Sequence, residues 1–95
     1  MSKSILQDNK ECYVTGITQG LHRHHIFGGA NRNLSEKYGL WVWLVGRLHN
    51  LSSEGVHFNR ELDLRLKREA QAKAMEVYNW TIEDFIKIFG RNYLC

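Results

Sequence analysis

Hydrophobic and polar positions divide the chain into segments of different rhythm. Residues 1–10, MSKSILQDNK, are polar and aperiodic, and predict a flexible N-terminal tail. ECYVTG, residues 11–16, has the makings of a short strand ending at Gly16. Residues 21–27 look extended, and the GGANRN cluster breaks them at Gly28 and Gly29. LWVWLV, residues 40–45, is an apolar run rich in β-branched and aromatic side chains between Gly39 and Gly46, which predicts a short buried strand. Strand alternation puts Trp41 and Trp43 on one face and Val42 and Leu44 on the other; both faces are expected to be covered. From Asn59 the period becomes helical. Leu62, Leu66, Ala70, Ala74 and Val77 recur at spacings of four and three, giving one narrow apolar stripe. Glu61 with Arg65, Asp63 with Lys67, and Glu69 with Lys73 are acid-before-base pairs, each contributing roughly 0.2–0.5 kcal/mol on a helix surface. A second helix is predicted from Thr81, whose hydroxyl can cap the amides near Asp84, through Phe85, Ile88 and Phe89 to a left-handed terminator at Gly90.

The expectation is therefore an α+β chain, with residues 11–95 forming one domain behind the tail. Composition sharpens this only in part. Ninety-five residues, 43% hydrophobic and 24% charged, suit one globular domain with a modest core, and leave no room for a large cofactor cavity or a second lobe. A net charge of +3 is compatible with a polyanionic partner and equally with an ordinary soluble surface. The chain holds no apolar run of membrane-spanning length, and its N-terminus lacks the apolar stretch of a signal peptide. A cytoplasmic location without membrane association is expected. Cys12 and Cys95 lie near opposite ends of such a chain, where a structural disulfide is not expected.

Chemistry concentrates in the histidines. Of five in the chain, His22, His24 and His25 fall in one window, HRHHIFGG at residues 22–29. His24 and His25 would end the first strand, His49 follows the second, and His57 precedes the long helix. A hairpin packed on a helix brings such positions together. Alternation sends His22 and His24 to one side and His25 to the other, so His24 and His25 are expected to have different jobs.

HHIFGGANR, followed by GLWVWLVGRLHNLSSEGVHFN, resembles the HNH nucleases, in particular small phage-type members. The likeness covers about residues 12–60 as motif core, and the helical remainder, 59–95, less specifically. It implies a ββα-metal core, the His-Me finger, with additional C-terminal helices. It also implies His24 and His49 as ligands of one divalent cation and His25 as general base. His57 would be a third ligand or a contact to the scissile phosphate. A neutral imidazole suits proton removal from water at neutral pH, and one cation can stabilise charge on the leaving 3′ oxygen and the phosphoryl oxygens. Magnesium, manganese, nickel and zinc all remain open as that cation.

The chain departs from the family pattern in two places. The middle asparagine, which pins the connecting loop, should fall around Gly39 or Leu40. Asn31 or Asn33 would have to substitute from inside the loop. Of the four zinc-knuckle positions found in many relatives, only Cys12 retains a ligand, with Thr15, Val45 and Leu48 in the other places. No structural zinc is expected, because a closed site needs four nitrogen or sulfur ligands. Val45, Leu48 and nearby apolar groups should fill that space.

Arg23, Arg32 and Arg47 flank the proposed site and are the expected phosphate contacts. Arg60, Arg65, Lys67, Arg68 and Lys73 read mostly as a solvated helix face. His22 lies outside the motif and reads as exposed or partly packed. The leading function is a metal-dependent endonuclease acting on DNA. The alternative is a non-catalytic HNH-like module that binds nucleic acid or protein. FIKIFGRNYLC is apolar enough to pack on its own domain or on a second copy, and a domain of this size could also work beside a larger phage terminase or replication partner.

Overall fold

The computed structural model describes residues 3–49 and 59–94. Two strands, β1 (Leu21–His25) and β2 (Trp41–Val45), pair antiparallel, with Leu21 opposite Val45 and His25 opposite Trp41. Both coincide with the segments whose composition favours extended chain. The connection between them is more structured than its glycines suggest. A short 3-10 turn, Gly29–Asn31, runs into helix α1 (Arg32–Tyr38), which ends at Gly39 in the left-handed region, φ 73°. Ser35, fully buried on α1, accepts from the Phe27 amide (3.0 Å) and donates to the Phe27 carbonyl (2.8 Å), which fastens the connection.

Beyond β2 the chain turns directly into a one-turn helix, α2 (Gly46–His49). Helix α3 (Arg60–Tyr78) opens where Asn59 accepts from the Leu62 amide, and closes at Asn79 with φ 57°. Helix α4 (Ile82–Phe89) carries the expected cap: Thr81 accepts from the Asp84 amide, Asp84 accepts from the Thr81 amide, and Gly90 terminates at φ 87°. Leu66, Ala70 and Ala74 are buried as their spacing predicts. Val77 is 48% exposed, and Tyr78, four residues after Ala74, packs on the core instead. The Asp63–Lys67 pair forms at 2.9 Å, whereas Arg65 pairs forward with Glu69 and Lys73 reaches Glu76.

The core lies on the Val42–Leu44 face of β2, where Ile26, Phe27, Leu40 and Leu48 meet Leu66, Ala70 and Ala74 of α3 and Phe85 and Phe89 of α4. Phe27 sits between rings, with centroids 5.6 Å from Phe85, 4.7 Å from Phe89 and 5.3 Å from Tyr93. Each such side chain contributes roughly 1.5–3 kcal/mol by leaving water.

Two sequence expectations need correction. Residues 3–10 are not a tail; they run along the free edge of β2. The Ile5 amide donates to the Gly39 carbonyl (2.9 Å), Ser4 Oγ to the Trp41 carbonyl (2.6 Å), and the Trp43 amide to Gln7 Oε1 (2.8 Å). The edge of a two-stranded sheet leaves backbone groups unpaired, and the polar residues of this segment satisfy them. Residues 11–16 form a turn rather than a strand: the Gly16 amide donates to the Cys12 carbonyl (2.8 Å) and the Cys12 amide to the Ile17 carbonyl (2.7 Å). The turn buries Cys12 and lends β2 one further bond, from the Tyr13 amide to the Trp43 carbonyl. The result is a small α+β domain with a radius of gyration of 12.8 Å. Among the described residues no helix is long and apolar enough to cross a membrane.

Candidate active site

Strand β1 distributes its polar side chains by alternation. His22 stands opposite Leu44 and His24 opposite Val42, on the core-facing side; Arg23 stands opposite Trp43 and His25 opposite Trp41, on the other. Because β2 passes straight into α2, His49 folds back over β1. Its Nδ1 lies 3.0 Å from His22 Nδ1, and its ring centroid lies 5.1 Å from that of His22 and 5.3 Å from that of His24. His24 is buried at 5% exposure. His22, which the motif leaves out, therefore belongs to the cluster. The signal in the sequence was its two-residue spacing from His24.

His25 has different company. Its Nε2 lies 3.3 Å from Glu36 Oε1, and Glu36 Oε2 accepts from Arg23 Nη2 at 2.7 Å. The Arg23 guanidinium also stacks on the Trp41 ring, 3.7 Å from its centroid. Glu36 was invisible to sequence reasoning because it sits on α1, the helix hidden behind the glycine cluster. Its presence changes the reading of Arg23 from a phosphate contact to a partner in an ion pair.

His24, His25 and His49 line one cleft of about 310 Å³ with Arg23, Arg32 and the Gly28–Gly29 backbone. A cavity of about 270 Å³ adjoins it, where His24 and His25 meet Asp63 and Lys67 of α3. Arg32 is exposed on the cleft wall, and Arg47 is an exposed residue of α2. His57 lies outside the described residues. Asn31 donates through Nδ2 to the Phe89 carbonyl (3.1 Å), tying the 3-10 turn to the end of α4, and Asn33 is exposed on α1. Leu40, where the motif would carry its middle asparagine, is fully buried. Its amide donates to the Ser35 carbonyl and its carbonyl accepts from the Ile26 amide. Pinning of the loop is thus shared by Ser35, backbone bonds and the Asn31 side chain, with no part for the exposed Asn33.

Neutral imidazoles on separate elements are a suitable donor set for a divalent cation that keeps positions open for water and phosphate. His24 and His49 meet that requirement by chemistry. Among the described residues, no three histidine, cysteine or carboxylate groups stand as a formed cage. Where a knuckle would lie, Cys12 and Leu48 are core residues and Val45 packs against them. Burial pushes the Cys12 thiol up, but hydrogen bonds from the Thr15 side chain and from the backbone at Val45, Thr15 and Val14 outweigh it, and its pKa falls below the ordinary value. No protein-family model, curated protein or solved structure matches the chain.

Proposed function

We propose that this protein is an HNH-type, metal-dependent endonuclease that hydrolyses phosphodiester bonds in DNA. The observation that carries the proposal is the meeting of His24, His25 and His49, from β1 and α2, in one cleft beside Arg32. On this reading β1, β2 and α3 correspond to the ββα-metal core. A bound divalent cation would neutralise charge developing on the phosphate, and His24 and His49 would hold it. His25, on the opposite side of β1 from His24, serves as general base and accepts a proton from the attacking water. Arg32 contributes a guanidinium for a phosphate oxygen, and Arg47, exposed on α2, would touch the backbone further along the duplex. By the resemblance, cleavage leaves a 5′ phosphate and a 3′ hydroxyl. Few side chains remain to read base edges, so discrimination between sequences should be weak.

His24→Ala and His49→Ala are expected to lose metal-dependent plasmid nicking by at least about 100-fold and to bind manganese or nickel more weakly by calorimetry. Full activity in both variants would remove the cation from these residues. Arg32→Ala should weaken DNA binding and flatten its salt dependence by about one phosphate contact.

The burial of Leu40 and the apolar filling around Cys12 favour a second reading: an HNH-like scaffold that binds nucleic acid or protein without cutting it. Duplex binding with a steep salt dependence, and no nicking in magnesium, manganese, nickel or zinc, would select that reading.

A further inference from the structure

We infer that Glu36 is the positioning residue for His25. The inference rests on His25 being the general base. It begins from the one-sidedness of a carboxylate, which accepts hydrogen bonds and donates none when ionised. With Glu36 Oε1 at 3.3 Å from His25 Nε2, the pairing requires the imidazole hydrogen on Nε2. Nδ1 is then the nitrogen with a lone pair. One contact thereby selects the tautomer and restrains rotation of the ring, as outer partners do for functional histidines elsewhere.

The carboxylate is itself held. Arg23 Nη2 donates to Glu36 Oε2 at 2.7 Å, and the same guanidinium lies over the Trp41 ring, 3.7 Å from its centroid. An arginine fixed by both a carboxylate and an indole has little freedom to swing away, so Glu36 is presented to His25 at a constant angle. The ion pair also offsets the carboxylate charge, which would otherwise stand against the phosphates of a polyanion at the cleft mouth. The arrangement couples β1 to α1: Arg23 and His25 are two residues apart on one strand face, and Glu36 reaches both.

The step served by this geometry balances as follows. A water O–H bond breaks and its proton moves to His25 Nδ1, while the water oxygen forms a bond to phosphorus. The bond from phosphorus to the 3′ oxygen breaks, and that oxygen takes a proton from solvent. The imidazolium left behind carries hydrogens on both nitrogens, with Nε2–H still directed at Glu36, and returns its extra proton to solvent. Glu36 never touches the substrate.

The test compares the full chain with Glu36→Leu, which keeps comparable side-chain bulk and offers no acceptor to Nε2–H. Nicking is measured with metal restored, manganese affinity by calorimetry, duplex affinity by anisotropy, and the His25 tautomer by nitrogen-15 NMR of the imidazole at pH 8. The expected result is a 10–100-fold lower nicking rate with metal and DNA affinities kept, and a His25 that holds the Nε2–H form in the wild type but mixes tautomers in the variant. A tautomer unchanged by the substitution overturns the inference, as does an unchanged rate. Absence of nicking by the wild type in every metal overturns the nuclease reading instead. In that event the NMR comparison still decides whether Glu36 fixes His25.

Discussion

Tyr13 Oη donates to Glu69 Oε1 at 2.7 Å, joining the turn after the N-terminal segment to the middle of α3. Burial pushes the Tyr13 phenol up, the hydrogen bond and charge of Glu69 add to it, and its pKa reaches about 12. Burial also raises the Glu69 carboxyl, but hydrogen bonds from Tyr13 and Arg65 and the Arg65 charge overcome this, leaving it below its ordinary value of 4.5. A depressed carboxyl stabilises the fold above its unfolded pKa, and that contribution is lost as pH falls through the folded one. A raised phenol stabilises below its unfolded pKa, and that contribution is lost as pH rises through about 12. Tyr13→Phe should therefore cost about 1 kcal/mol in urea denaturation near neutrality, with the deficit shrinking below about pH 4 and above about pH 10. A deficit independent of pH would mean that the hydroxyl is not engaged with Glu69. Gly39 supports the same N-terminal segment in another way. Its φ of +73° is left-handed, and an added Cβ would meet the Lys3 carbonyl and the Ile5 side chain. Gly39→Ala should lower stability by about 1–3 kcal/mol and expose residues 3–10 to proteolysis before the rest of the chain.

At the level of elements, legibility followed how much of each segment's stability is written in its own residues. Helix α4 was readable because Thr81, Asp84 and Gly90 mark both ends locally, and β2 because its apolar run is bounded by glycines. Helix α1 was hidden. It is seven residues long, follows a glycine and asparagine cluster, and buries only Ser35 fully, which fastens it to Phe27, while its apolar contribution to the core is limited to the partly buried Leu34 and Tyr38. The N-terminal segment was misread for a related reason: its role is to pair with the edge of β2, and nothing in its own composition displays that partner. The exposed Val77 shows the limit of counting periods, since Tyr78 continues the Ala70–Ala74 row equally well and brings a larger ring to Tyr38 and Trp80. The cap offers a direct check. Thr81→Ala should destabilise the protein by about 1 kcal/mol in thermal melts, and Thr81→Ser should recover most of the loss. Equal stability of all three would mean that α4 is held by Phe85 and Phe89 alone.

Across the whole molecule, the domain is built on an antiparallel hairpin with one face on the α3–α4 core and the N-terminal segment along the free edge of β2. His22, His24, His25 and His49 gather at the place where β1, the loop to α1, and α2 meet. His24, His25 and His49 were legible as a candidate site because strand ends on a hairpin converge. His22 was legible only through its two-residue spacing from His24, and Glu36 was not, because it lies on an element the sequence conceals. Arg23 shows how the fold reassigns a residue, since a cation marked for phosphate is engaged by Glu36 and Trp41. The central claim is that this convergence is a hydrolytic site with His25 as its base. The measurement that tests it most directly is plasmid nicking by purified wild type and His25→Ala, prepared in parallel, stripped by chelation and supplied singly with magnesium, manganese, nickel or zinc. The account predicts nicking that requires metal in the wild type and a loss of at least about 100-fold in a His25→Ala protein with an unchanged circular dichroism spectrum. Equal nicking by the two proteins would contradict it.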